Sequence, residues 1–581
     1  MRKALATAVL ALALWSPAVA SAHAVLEDSQ PSRGAALERA PERISVTFDE
    51  PVESSFGALR VFDASGKRVD AGEVTRPSAE ALAVRTEGRL ADGPYTVTYR
   101  VVSADSHPVS GGYVFTVGEA AGATPASVAH LLDRDTGPVT EVALGMARGA
   151  GYGATALLAG GLAFLLLVWL PALRAIGLDG DGRQAAVSTF DRRALVVSVA
   201  AACVGVASVA LGIVLQGATA SGGSFWAALD ARVLADVLDT RFGTVWKLRL
   251  TAFGLLLALL LWPRPAAGRS TAPPRSAGAL VRPAAIYLAL AYLVVSPALS
   301  GHAAAGDRAA LLVTLDSVHV AAMSAWVGGV ALLVLAVPSA TRVLEPADRT
   351  RLLAAVVARF STVALVAVGA LLASGVLQSV LQLESLSDLL DTAFGRAILA
   401  KSAILAALVA LGAHNRRRSL PALARLARGG EAPGRPGATL RRALGGEIAL
   451  MLVVLGVTAA LVSYSPSAGA QAGPFAGAVD LGPARMELTV DPARAGRNAI
   501  HVYLFDRRSG AQYDRPRSLA IAASEPERDI GPLELPLRKA GPGHYTASRA
   551  ELIPAGDWRL TVRARISEFE ELRAQLEVPM R

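Results

Sequence analysis

Thr314-Leu-Asp-Ser-Val-His-Val-Ala-Ala-Met-Ser-Ala-Trp-Val-Gly-Gly329 is apolar enough for a lipid bilayer and yet carries ionisable groups, and its reading decides the fold. Asp316, His319, Met323 and Trp326 recur at helical spacing and share one face. Hydrocarbon cannot solvate such a face, so it must look into a helix bundle or a wet cavity. The stretch is the fifth of eight apolar segments, at roughly 150–171, 194–214, 244–262, 283–300, 312–336, 360–381, 394–413 and 444–464. Each has the length of about 20 residues that a spanning helix needs. The sequence therefore predicts an eight-helix transmembrane bundle.

Composition agrees: 52% of the residues are hydrophobic and only 18% charged, too apolar for a soluble protein of several domains. The formal charge of +9 suggests nucleic acid until its distribution is read. Arginines gather in alternate loops, at Arg174, Arg183, Arg192 and Arg193, and most densely from Arg416 to Arg442. The opposite loops are poorer in arginine and hold Asp230, Asp236, Asp239, Asp307, Glu384, Asp388 and Asp391. Basic loops stay on the cytoplasmic side, so the expected partner is the bilayer of the cytoplasmic membrane, with both termini outside and no nucleic acid. Cys203 is the sole cysteine, which excludes an intrachain disulfide, zinc ribbon or iron-sulfur framework. No phosphate-binding Gly-x-x-x-x-Gly-Lys occurs, so no ATP-driven step is visible.

Working outward, residues 1–22 read as a signal peptide: Arg2 and Lys3, an apolar run from Ala4 to Trp15, and the small residues Ala20 and Ala22 before the cleavage point. Cleavage there exposes His23 as an amino terminus. Its free amine and Nδ1 can close a chelate ring on one metal, which an internal histidine cannot do. Residues 23–119 alternate like short strands, as in Ile44–Phe48, Ala58–Phe62 and Tyr95–Tyr99, and predict a Greek-key β-sandwich. Within it Asp105 and His107 are two apart, so on a strand they project to one face, and Pro108 places the run at an edge. His23, Asp105 and His107 together offer three nitrogens and one oxygen, the tetragonal donor set that Cu(II) favours. Met and Cys, the soft ligands of Cu(I), are absent from His23 to Glu119.

His23-Ala-x-Leu26, Ser29-x-Pro31, Phe48-x-Glu-Pro51 and Ser103-x-Asp-x-His107-Pro-x-x-Gly111 resemble the copper-binding CopC family over this whole domain. The resemblance implies that His23, Asp105 and His107 are Cu(II) ligands. Glu50, in the matching turn, is a candidate for orienting an imidazole, against the plainer reading of a solvated turn residue. Thr240-Arg-Phe-Gly243, Ser300-Gly-His302, Asp316-x-x-His319 with Trp326-x-Gly-Gly329, and Thr392-x-Phe-Gly395 leading to Lys401 resemble the copper resistance and uptake family CopD. That match covers most of residues 141–465. His302, Asp316, His319 and Met323 are the candidate copper pathway, with Cu(I) the form expected beside Met323. Trp326, Gly328 and Gly329 read as packing residues. Lys401 and Glu447 read as lying toward the inner side, free to pair, gate or snorkel.

After a linker at 120–140 and the bundle at 141–465, a second linker at 466–483 leads to residues 484–581. There Met486–Val490, Ala499–Leu504 and Trp558–Val562 alternate, predicting a second extracytoplasmic β-sandwich. Its Gly-x-Tyr and Ala-Gly-x-Trp features resemble FixH-like and YtkA-like domains. His501 and His544 lack a convergent third ligand and read as ordinary strand residues. Together these readings predict a copper transporter, not an enzyme, that captures Cu(II) outside and carries copper inward. It would work with copper ions and other envelope copper proteins as partners. The alternatives are an envelope protein that sequesters copper without transport and, since a terminal histidine plus a second one also makes a histidine brace, a copper monooxygenase. Asp105 would block the oxygen position in the latter.

Overall fold

The computed structural model describes residues 24, 26–32, 35–53, 58–103, 108–118, 131, 138–221, 226–263, 277–304, 308–383, 386–461, 475–491, 493–508 and 512–580. Two β regions flank a helical one, as the sequence predicts.

The amino-terminal region is a sandwich. One sheet joins β1 (Leu26–Gln30), β3 (Arg43–Phe48), β7 (Ala81–Thr86) and β6 (Asp70–Thr75) in that order. The other runs β2 (Ala36–Leu37), β9 (Pro108–Val117), β8 (Gly93–Ser103) and β4 (Val52–Glu53), with β5 (Leu59–Phe62) also paired to β8. Neighbours that are not consecutive, such as β3 with β7, are the crossovers of a Greek key. Alternation selects the core: Ile44, Val46 and Phe48 of β3 face inward against Val97, Tyr99 and Phe115.

The carboxy-terminal region is a second sandwich. Its larger sheet runs β10 (Phe475–Leu481), β11 (Ala484–Asp491), β12 (Gly496–Asp506), β16 (His544–Leu552) and β15 (Arg538–Gly541). Its smaller sheet runs β14 (Ile530–Leu535), β13 (Ser518–Glu525), β17 (Gly556–Arg565) and β18 (Glu571–Met580). Trp558, Leu560 and Val562 meet Ile500, Val502 and Leu504 in the core between them.

Between them in sequence, the described residues hold eight helices long and apolar enough to span a membrane: α1 (Val142–Ala175), α2 (Gly180–Ser221), α3 (Arg241–Leu261), α4 (Val281–Leu299), α5 (Ala309–Arg342), α6 (Pro346–Gln382), α7 (Ala393–Gly429) and α8 (Gly434–Ala459). Several run well past the apolar windows, because helix formation continues into the charged flanks. The chain is a multi-pass membrane protein.

The helices α1 and α5 cross at glycines. A Cβ on Gly160 would fall on the carbonyl oxygen of Ser324, and a Cβ on Gly328 would fall on that of Ala156. The contact is reciprocal, since Ala156 and Ser324 each precede their glycine by one turn. Small residues one turn apart let two backbones approach within a bilayer, where no hydrophobic drive between helices exists.

The reciprocity extends to sequence. Gly160-Gly-Leu-Ala in α1 answers Gly328-Gly-Val-Ala in α5. Thr240 caps α3 by accepting the Gly243 N–H at 3.0 Å, and Thr392 caps α7 by accepting that of Gly395 at 2.8 Å. Both glycines press against the backbone of a short preceding helix, at Val237 and Leu238 and at Asp388 and Leu389. Phe242 and Phe394 are buried in each case. The bundle thus repeats, with α1 to α4 answered by α5 to α8. Two halves of four helices place equivalent helices in the same direction across the membrane, as parallel repeats do.

Gly328→Ala should lower the melting temperature of the purified chain in detergent, as overpacking of about 1–3 kcal/mol would. Gly369→Ala, where a Cβ meets nothing within 4 Å, should leave it unchanged or raised. Equal melting of both variants would remove the crossing from the account.

Candidate metal centres

His23, Asp105 and His107 lie outside the described residues, but the backbone flanking them is described. Leu26 pairs with Phe48 and Val52 with Ser103. Phe48 and Val52 are the two ends of the turn that carries Glu50, which is 8% exposed. The strand following His23, the Glu50 turn and the strand preceding Asp105 therefore meet at one end of the sandwich. Ala24 is buried in the core.

In the bundle, Asp316, His319 and Met323 of α5 are each half-buried. His319 Nδ1 lies 3.0 Å from the Ser374 hydroxyl of α6, and that hydroxyl donates to the Ala370 carbonyl. A helix hydroxyl thereby fixes the imidazole. Met323 packs against the main helical core, and Trp326, 6% exposed, belongs to it. His302 begins a single 3-10 turn, His302–Ala304, after α4; its side chain lies outside the description.

Two arginines add to the intramembrane polar groups. Arg148 of α1 donates to Gln216 of α2 at 3.3 Å. Arg249 of α3 donates to the Ser296 hydroxyl at 2.8 Å and to Ser300 at 3.1 Å, and its guanidinium lies 5.2 Å from the Trp246 ring centre. Both line a cavity shared by α1 to α4 with Tyr152, Ser208 and Ser296. The sequence reading overlooked them, although Arg249, five residues inside an apolar window, carried the same signal as Lys401.

Lys401 is placed differently from expectation. Asp316 interacts electrostatically with Lys401 and with Arg249, and all three sit about two turns from the starts of odd-numbered helices. Lys401 therefore belongs to the Asp316 level and does not share a side with Glu447, because α7 begins on the same face as α3 and α5 whereas α8 begins on the other. The repeat explains the level: Arg249 follows Thr240, and Lys401 follows Thr392, by the same nine residues. Arg148 precedes Gly160, and Asp316 precedes Gly328, by the same twelve. Glu447 does lie near the start of the apolar stretch carried by α8, where it accepts the Asn415 amide at 2.8 Å from a π-helical turn of α7. It is paired there, 4% exposed.

The carboxy-terminal sandwich departs most from expectation. His501 Nδ1 and His544 Nε2 face each other at 3.2 Å, with ring planes 14° apart. Tyr503 stacks on His544 at 4.4 Å between centroids. Register causes this, because Tyr503 pairs with His544 and His501 with Thr546, which makes the two histidines diagonal neighbours on the outer face. Burial pushes His501 down to about 4 and His544 down to about 3, the latter also through its neighbour His501. Burial pushes the Tyr503 hydroxyl up, helped by the charge of Glu487. Both imidazoles are thus neutral near pH 7 and one donates to the other.

Comparison with known proteins gives three family matches: the CopC domain over residues 26–118, the copper resistance protein D-like N-terminal domain over 139–310, and copper resistance protein D over 354–461. Copper transport protein CutJ of Bacillus subtilis (strain 168) is 28% identical over 97% of both chains. Protein YobA of Escherichia coli (strain K12) is 32% identical over 19% of this chain and 91% of its own. Among solved structures, CopC from Methylosinus trichosporium OB3b matches at 29% identity, covering 18% of this chain and 97% of that one, with a TM-score of 0.15.

The depressed histidines predict a pH dependence. An unfolded histidine takes up a proton below about pH 6.5 while the buried pair stays neutral down to about 4. The unfolded state then binds more protons, so stability is level above pH 6.5 and falls as pH drops toward 4. Amide exchange of β12 peptides, corrected for intrinsic rate, should accelerate through that window and be flat above it.

Proposed function

This chain belongs to the copper resistance family that joins CopC and CopD domains, and from that membership we propose that it carries copper inward across the cytoplasmic membrane. The amino-terminal sandwich captures Cu(II) outside, through the His23 amine and imidazole, the His107 imidazole and an Asp105 oxygen. The reading rests chiefly on the pairings Leu26 with Phe48 and Val52 with Ser103, since they bring the backbone on either side of these ligands to the turn holding Glu50. Glu50 would then orient an imidazole. Three nitrogens and one oxygen suit the oxidised ion.

Copper then passes along α5. His302 would receive it, and Asp316, His319 and Met323 offer an oxygen, an imidazole and a thioether on one helix face. His319 is held by Ser374, so its free nitrogen is the one presented to an ion. Buried ionisable groups are expensive in a bilayer, which supports a use for them beyond anchoring. The arginine-rich loops support an orientation with both sandwiches outside the cell. CutJ is named for copper transport and two of the matching families for copper resistance, in keeping with a carrier. The carboxy-terminal sandwich would occupy the place of a FixH-like or YtkA-like appended domain.

Two measurements test the scheme. Cells at limiting external copper should accumulate less when they carry His23→Ala or His319→Ala than with the intact chain. Unchanged accumulation with lowered copper tolerance would mean an envelope buffer instead of a carrier. In the purified chain, His23→Ala should weaken Cu(II) binding at least a hundredfold, and one extra residue ahead of His23 should do the same by abolishing the free amine. Unaltered affinity in both would dismiss the chelate.

A further inference from the structure

The carboxy-terminal histidine pair has no part in the scheme above. Alternation along β12 turns Ile500, Val502 and Leu504 into the core and His501 and Tyr503 to the other face. Polar or mixed residues would suffice on an outer sheet face. Instead two imidazoles and a phenol cluster there, with His544 and Tyr503 each only 4% exposed.

We propose that His501 and His544 form a two-nitrogen site for monovalent copper in the carboxy-terminal sandwich. That the ion is copper rests on the reading of the chain as a copper carrier; that the pair is a metal site rests on its own geometry. Metal–imidazole bonds are about 2.0 Å long, so a separation of 3.2 Å accommodates a bent two-nitrogen arrangement of about 105°. Opening the pair by about 0.8 Å would make the arrangement linear. In either case the ion takes the place of the proton shared between the two nitrogens.

Charge and coordination number select the ion. Burying a charge costs more the larger the charge, unless an opposite charge accompanies it. Among the described residues no third His, Cys, Asp or Glu converges on the pair. Glu487 lies on the neighbouring strand opposite Tyr503, but it is turned toward Arg485 at 3.7 Å. A divalent ion would therefore enter with neither its compensating anion nor a third or fourth ligand. A monovalent copper ion is satisfied by two imidazoles and brings half the charge. The Tyr503 ring, stacked on His544 within 7° of parallel, closes one side and keeps the coordination number low. Tyr503 positions the imidazole and is not itself a ligand.

The test uses the full chain in detergent. His23→Ala and His107→Ala together remove the amino-terminal site, and the variant is titrated without oxygen with Cu(I) held by bicinchoninate. Adding His501→Ala should lower bound Cu(I) by one equivalent, whereas adding Tyr503→Phe, which keeps the stack, should not. Equal stoichiometry with and without His501 overturns the proposal. A second readout needs no variant: Cu(I) should protect His501 of the unsubstituted chain from carbethoxylation at least tenfold, measured on its peptide by mass spectrometry. Zn(II) should give no such protection. Absence of protection by Cu(I) overturns the site, and equal protection by Zn(II) overturns its assignment to a monovalent ion. Protection is read whether or not the chain moves copper, so failure of the accumulation assay and failure of this site are distinguishable.

Discussion

The approach of Gly160 to Gly328 sets the geometry of the membrane domain. The helices α1 and α5 each lend a carbonyl to the other's glycine, at Ser324 and Ala156, so the contact is the same seen from either helix. In water such a crossing would be driven by burying apolar side chains. In a bilayer it depends on close backbone contact and on the lipid it releases. Gly329 extends the same seam, lying under the Phe360 ring of α6. The face of α5 that carries Asp316 and His319 meets other helices, α6 through Ser374 and α7 through Lys401.

A duplicated bundle with one crossing at its centre puts equivalent residues at equal depth. Arg148 and Asp316 stand at matching distances before the two glycines, and Arg249 and Lys401 at matching distances after the two threonine caps. The duplication is therefore broken chemically at the level where it is kept geometrically, with arginine on one half answered by aspartate on the other. The positive groups of the first half are held by neutral partners: Gln216 for Arg148, and Ser296, Ser300 and the Trp246 ring for Arg249. Hydroxyls and an aromatic face leave the charge in place while lowering its burial cost. His319, by contrast, is directed to Ser374 on α6. His319 thus keeps to the α6 side, apart from the cavity that the two arginines line with α1 to α4.

The eight spans, both sandwiches and the strands within them were legible because each rests on a period that the sequence displays. A span is a length of apolar residues, and a half-buried strand is an alternation. Relations between elements were not legible in the same way. Alternation put His501 and Tyr503 on one face, but it cannot supply the register that sets Tyr503 against His544 and brings His501 onto the diagonal. Forty-odd residues separate the two histidines in sequence, and a shift of one residue would have sent them to opposite faces. Lys401 was misplaced for a related reason: depth depends on where a helix begins, and the cap at Thr392 had been read as a family motif without being used as the zero of the helix. For the amino-terminal ligands the sequence remains the direct argument, supported by the pairings of Leu26 and Val52.

Donor chemistry differs along the chain in a way that follows from solvation. In the proposed amino-terminal site an amine, imidazoles and a carboxylate suit a divalent ion, because a carboxylate offsets part of its charge. Within the bundle a carboxylate, an imidazole and a thioether stand where water is scarce, and lower charge is favoured there. On the carboxy-terminal sheet two neutral imidazoles sit against a phenol ring, and among the described residues no carboxylate converges on the pair. Among these three donor sets the thioether appears only in the bundle, and the carboxylate is lost only on the carboxy-terminal sheet. In the proposed scheme one metal meets several environments, and donor sets that differ in charge and softness suit the differing cost of burying the ion in each.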